Sequence, residues 1–267
     1  MSTLTHDTTD RVAWRKREHL WPGLILVGMT MLGWAYTLQQ ITSAPQSEMA
    51  GDLGGMRMAV ESASLADLSL FLLGWLAMMA AMMIPAAVPL ILLYRTIGHK
   101  RMGAGRARAG VAVLLVGYFG VWTAAGLPVY GYDLVSGRFE RLALLLPGLL
   151  LIAGGAYQFT ALKRGCHARC SNPLFFLTEK WRPGAVGALR LGILHGVDCL
   201  GCCAGLMVGL VALGMMNLAL MLTAAVIIFV EKTLPGGHWV ARPLGVLMVA
   251  SGLMLLGASL LGSGMTV

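Results

Sequence analysis

The chain alternates long unbroken apolar runs with short polar segments rich in arginine and lysine. The runs are 22–41, 69–94, 110–132, 142–162, 190–213, 216–234 and 243–262. A helix rising about 1.5 Å per residue needs about 20 residues to cross a hydrocarbon core about 30 Å thick. The runs have that length and lack the two-residue alternation of barrel strands. A chain in lipid must also satisfy its own backbone polar groups. The pattern therefore predicts an all-α polytopic membrane helical bundle of about seven transmembrane helices. The sixth run is the weakest, because Glu231 and Lys232 end its short apolar part. Pro85 and Pro89 fall inside the second run, where they predict a kink.

Composition agrees with this pattern. Hydrophobic residues make up 57% of the chain and charged residues 12%, whereas a soluble domain carries about 25% charged residues. With the N-terminus in the cytoplasm, 17 of the 20 lysines and arginines fall on the inner side, leaving Arg57, Arg138 and Arg141 outside. That bias supports both the span count and the direction, and predicts an inner (cytoplasmic) membrane location. The net charge of +8 then belongs to loops held against anionic lipid, and no basic-aromatic patch suggests nucleic acid. The run 22–41 is too long for the core of a signal peptide and reads as the first span. The organisation expected is a cytoplasmic N-terminal segment, 1–21, followed by a single transmembrane domain, 22–267. The outer loop 42–68 is mildly acidic, and the inner loop 163–189 is rich in Arg and Lys. Gly154-Gly155 and the series Gly201, Gly205, Gly209 predict close helix packing.

The five cysteines all lie between Cys166 and Cys203, an odd and local set unlike a secreted disulfide framework. In the fifth run His195, Cys199, Cys202 and Cys203 share one helical face. Cys199 lies nine residues from Arg190, about 14 Å in at about 1.5 Å per residue. In the second run Met78 and Met82 share one face and Met79 and Met83 the next, at a matching depth. A methionine stripe alone is more often packing than ligand, and a lone buried cysteine behaves as a small hydrophobe. The conjunction points to a metal site. Thiolate with thioether selects soft ions, Cu(I) first, while zinc prefers Cys and His and stands second. Asp198, an acid within a span, is a candidate cation ligand, partner to His195 or proton carrier, with pairing to a nearby base as the plain alternative. Cys166 and Cys170, with His167 between them, suggest an inner-surface metal relay, an inert or palmitoylated pair, or thiol–disulfide exchange with the intramembrane cysteines. Met215, Met216 and Met221 suggest an entry or exit stop at the outer face, or simply a turn.

Three stretches carry a resemblance: WLAMMAAMMIP from Trp75, GAYQFTALKRGCHARCSNPL from Gly155, and HGVDCLGCCAGLMV from His195, followed by GMMN. Together they cover positions from about 75 to 221. In this ordered set the chain resembles an uncharacterised bacterial family of predicted metal-binding integral membrane proteins. The resemblance implies metal binding and departs from the family pattern at Asp198 and Ala204, where an aromatic residue is usual. The function expected is copper handling by a Cys/His/Met site, delivering Cu(I) to a membrane cuproenzyme or metallochaperone or carrying it across the bilayer. No phosphate-binding loop is present to drive it with ATP. The alternatives are a thiol–disulfide oxidoreductase working with quinone, and a structural subunit of a membrane complex.

Overall fold

The computed structural model describes residues 27–28, 30–36, 38–39, 64–214, 217–233 and 239–262, and all regular structure among them is helical. Among the described residues eight α-helices follow residue 64: α1 (Leu65–Met102), α2 (Ala104–Arg138), α3 (Glu140–Tyr157), α4 (Ala161–Cys170), α5 (Pro173–Lys180), α6 (Gly184–Leu213), α7 (Leu218–Thr233) and α8 (Ala241–Gly262). Residues 30–36 are also helical, with Gly33 lying against Ala77 and Ala81 of α1.

The helix ends follow from local chemistry. Ser64 opens α1 with a capping box: its Oγ accepts the Asp67 N–H at 3.1 Å, and Asp67 Oδ2 accepts the Ser64 N–H at 3.3 Å. His99, Lys100 and Arg101 occupy the last turn, where cations suit the carbonyl end of the dipole. Gly103 then turns the chain at φ +87°, a conformation that favours glycine. Pro85 and Pro89 stand inside α1 without ending it.

Among the described residues four helices are long and apolar enough to cross a membrane: α1, α2 over Ala104–Ser136, α6, and α8 over Ala241–Leu261. A fifth exists if Leu144–Tyr157 and Ala161–Cys170, bent by 66°, form one broken span. The expected second, third, fifth and seventh runs therefore match span-length helices. The fourth is bent, and the sixth, α7, has 16 residues. Residues 22–26, 29, 37, 40 and 41 of the first run and residues 42–63 of the outer loop lie outside the described residues. The segment expected as an inner loop, 163–189, instead forms α4 and α5 and enters α6. Thr160 caps α4 by accepting the Lys163 N–H at 3.3 Å, and Pro173 fits the first turn of α5, where no N–H is needed.

Three seams set the register. α1 and α2 are antiparallel: Trp75 Nε1 donates to the Trp122 carbonyl at 2.8 Å, and Tyr94 covers Gly110. α2 and α6 run parallel, with Gly117 on Leu189 and Ile193, and Gly196 on Tyr118 and Val121. α3 lies antiparallel to both α6 and α8. Gly154 faces Gly205, while Gly148 faces Gly252 and Gly155 faces Gly245. At each facing pair a Cβ would come within 3.0 Å of the opposite carbonyl oxygen, so small residues permit the approach. α7 packs against α1 and α6, and α4 lies across α6.

Candidate metal centre

α6 carries His195, Asp198, Cys199, Cys202 and Cys203, all buried. α4 brings the other two cysteines to the same place. Cys166 sits on Gly201, where a Cβ would lie 2.6 Å from its Sγ. Cys170 joins Cys199, Cys202 and Cys203 in one buried core, near enough for the thiols to bear on one another electrostatically. All five cysteines are free thiols and buried. The bend between α3 and α4 thus folds the polar α4 back onto the thiol face of α6.

Two further side chains converge on Cys199. Lys232 Nζ, from the end of α7, donates to Cys199 Sγ at 2.9 Å. The Tyr118 hydroxyl of α2 lies 3.1 Å from the same sulfur. The Cys202 and Cys203 thiols donate to the Cys199 carbonyl at 3.1 and 3.0 Å. Among the described residues no three His, Cys, Asp or Glu side chains are arranged to hold a metal ion. The thiols are engaged with one another, with a backbone carbonyl and with Lys232.

His195 has a different environment. It is 3% exposed, stacked on Tyr118 with ring centroids 5.8 Å apart, and tilted against Phe176 at 5.5 Å. Both of its ring nitrogens are buried without a hydrogen-bond partner among the described residues. An unpaired buried polar group costs about 1–3 kcal/mol, so such a residue calls for a functional explanation. Asp198 takes the plain alternative among its expected roles. Its Oδ1 accepts from Arg169 Nε and Nη2, both at 2.8 Å, in an ion pair reaching from the buried acid to a half-exposed guanidinium. Arg169 Nη2 also reaches Cys166 Sγ at 3.6 Å.

Met78, Met79, Met82 and Met83 are all buried, in one continuous core with the five cysteines, Met207 and Met221. Trp75 bonds Trp122 and Tyr94 covers Gly110, which brings the methionines level with Tyr118, the residue touching Cys199. α1 and α6 are not a closely packed pair; α2 and α7 pack against both. Met221 is fully buried, and Met215 and Met216 lie outside the described residues.

Sequence reasoning missed Tyr118, Lys232 and a buried polar cluster beside them. Lys163 Nζ donates to both Glu231 carboxylate oxygens at 3.1 Å and to Gln158 Oε1, and His167 Nε2 pairs with the Glu231 carbonyl at 2.8 Å. Glu231 and Lys232 were visible as charges closing an apolar run; only the fold turns them inward.

A family model described as PpoB2, copper chaperone, matches residues 72–255, a stretch that includes the methionines, all five cysteines, His195 and Lys232. No curated protein and no solved structure matches the chain.

Proposed function

This chain belongs to the PpoB2 copper chaperone family, and we propose that it is an integral membrane carrier of Cu(I), loaded on the thiols that α4 and α6 bring together. The observation that supports this reading is the burial of Cys170, from α4, in one core with Cys199, Cys202 and Cys203 of α6, two helices packed on each other. Soft thiolates select Cu(I). As a d10 ion it is content with two of them, so a closed cage of three or four ligands is not required. Binding at Cys170 and Cys199 releases the thiol protons and leaves one Cu(I) between two thiolates, with no change of oxidation state. Cys202 and Cys203 are the next thiols in reach, and His195 is a neutral donor with open nitrogens. The α1 methionines supply weaker thioether ligands along the same core. A chaperone must release its cargo, and weak ligands next to strong ones offer a path outward to a copper enzyme or a second carrier.

The test is the copper content of detergent-purified protein after anaerobic loading with Cu(I). Wild type is expected to hold copper in a fixed ratio, with Cys199→Ser and Cys170→Ser each losing most of it. Equal copper in wild type and both variants would sink the assignment.

A further inference from the structure

Among the described residues four charged side chains are buried: Lys163, Asp198, Glu231 and Lys232. Lys163 and Glu231 neutralise each other, and Asp198 is neutralised by Arg169. Lys232 stands apart. Its Nζ donates to sulfur, and the groups that bear on its charge are Cys170, Cys199, Cys202 and Cys203. A buried ammonium is tolerated only with a compensating negative charge close by. The fold therefore stations one positive charge against a cluster of thiols.

We propose that Lys232 is the built-in counter-charge of the metal-loaded site and makes it selective for monovalent soft ions. The proposal rests on the thiol site described above and adds a preference to it. A Cu(I) ion between two thiolates carries a net charge of minus one, and with the Lys232 ammonium the buried ensemble is neutral. A divalent ion between the same two thiolates is itself neutral, so beside Lys232 it leaves a buried net positive charge. The neighbouring charges do not alter this balance, because Lys163–Glu231 and Arg169–Asp198 cancel in pairs. Lys232 donates to the sulfur and is no ligand; it acts through Cys199 as a positioning residue. Ag(I), with the same charge and softness as Cu(I), belongs to the same class of cargo.

Cu(I) and Hg(II) test this directly. Both are d10 ions that take two thiolates in line, and they differ by one charge. Affinities for each are measured by chelator competition on full-length protein in detergent, with Cys199→Ser, Lys232→Met and Lys232→Arg beside wild type. Lys232→Met is expected to weaken Cu(I) by about 30-fold or more, the usual scale for removing one partner of a buried charge pair. Hg(II) affinity should hold or rise in that variant, and Lys232→Arg should keep Cu(I) affinity within about threefold of wild type. A purely structural lysine would weaken both ions together, and that result, or an unchanged Cu(I) affinity, overturns the proposal. If Lys232→Met does not fold, Lys232→Gln carries the same comparison. Cys199→Ser separates the two levels. Loss of Cu(I) there with no charge effect at Lys232 removes only the counter-charge, while retention of Cu(I) there removes the site itself.

Discussion

His195 shows how a single residue can be worth more to function than to stability. It was legible in the sequence as the first member of a four-residue stripe with Cys199, Cys202 and Cys203, because helical spacing alone puts them on one face. What spacing does not show is that both imidazole nitrogens are buried and unpaired between Tyr118 and Phe176. Replacing an unsatisfied buried polar group with an apolar one of similar shape is neutral or stabilising. His195→Phe keeps the ring packing and removes the nitrogens. It is expected to raise the stability of the metal-free protein by about 1–3 kcal/mol, read as a higher midpoint in thermal unfolding, while lowering Cu(I) retention. A fall in the midpoint would mean that the imidazole has a structural partner and would remove the case for an open donor. Asp198 marks the opposite outcome. Its carboxylate answers to Arg169 on another helix, and no reading of the local sequence picks Arg169 from the other basic residues of that segment.

At the scale of elements, apolar runs revealed the long helices and hid the short ones. α4 is polar on average, with Lys163, Arg164, His167 and Arg169 in ten residues, so neither length nor apolar period distinguished it from a basic loop. Its position is set by contacts that lie outside its own sequence. Cys166 rests on Gly201, Lys163 grips Glu231, and Arg169 grips Asp198. Gly201 was read as one of a series of packing glycines; the structure makes it the seat on which α4 docks. A methyl group there would lie 2.6 Å from Cys166 Sγ and 3.1 Å from its Cβ. Overpacking of this kind typically costs about 1–3 kcal/mol. Gly201→Ala is thus expected to shift α4 and its Cys170 off the thiol face and to lower Cu(I) affinity. Shortening the opposing side chain should relieve the clash, so Gly201→Ala with Cys166→Ala is expected to recover part of the lost affinity relative to Gly201→Ala alone. The four variants form a double-mutant cycle. Additive losses across that cycle would show that the two residues do not press on each other.

For the whole molecule, the register decides how deep the thiols sit. Counting from Arg190 along α6 suggested the middle of the bilayer, but a single helix carries no mark of where the membrane begins. Its neighbours supply one. The hydroxyl of Tyr157, the last residue of α3, donates to the Gly201 carbonyl at 2.6 Å, and Gly155 faces Gly245, four residues after α8 begins. The thiols are therefore level with the ends of α3 and α8 and not with their midpoints. If α8 crosses the membrane, the proposed copper site falls at one face, beneath α4 and α5. α1 has 38 residues and α2 has 35, about 57 and 52 Å at about 1.5 Å per residue, so both project beyond a core about 30 Å thick. The turn that joins them at Gly103 is flanked by Lys100, Arg101, Arg106 and Arg108, and such clusters favour the cytoplasmic side. α2 and α6 run parallel, so with that end of α2 in the cytoplasm the start of α6 and the roof of the proposed site would lie on that side too. A bulky, membrane-impermeant Cu(I) chelator is accordingly expected to strip copper from the loaded protein in inverted membrane vesicles and to leave it in right-side-out ones. Leu65→Cys, at the exposed opposite end of α1, should react with an impermeant maleimide only in the right-side-out vesicles. Stripping from the right-side-out side, with Leu65→Cys labelled as expected, would turn the proposed site toward the other face.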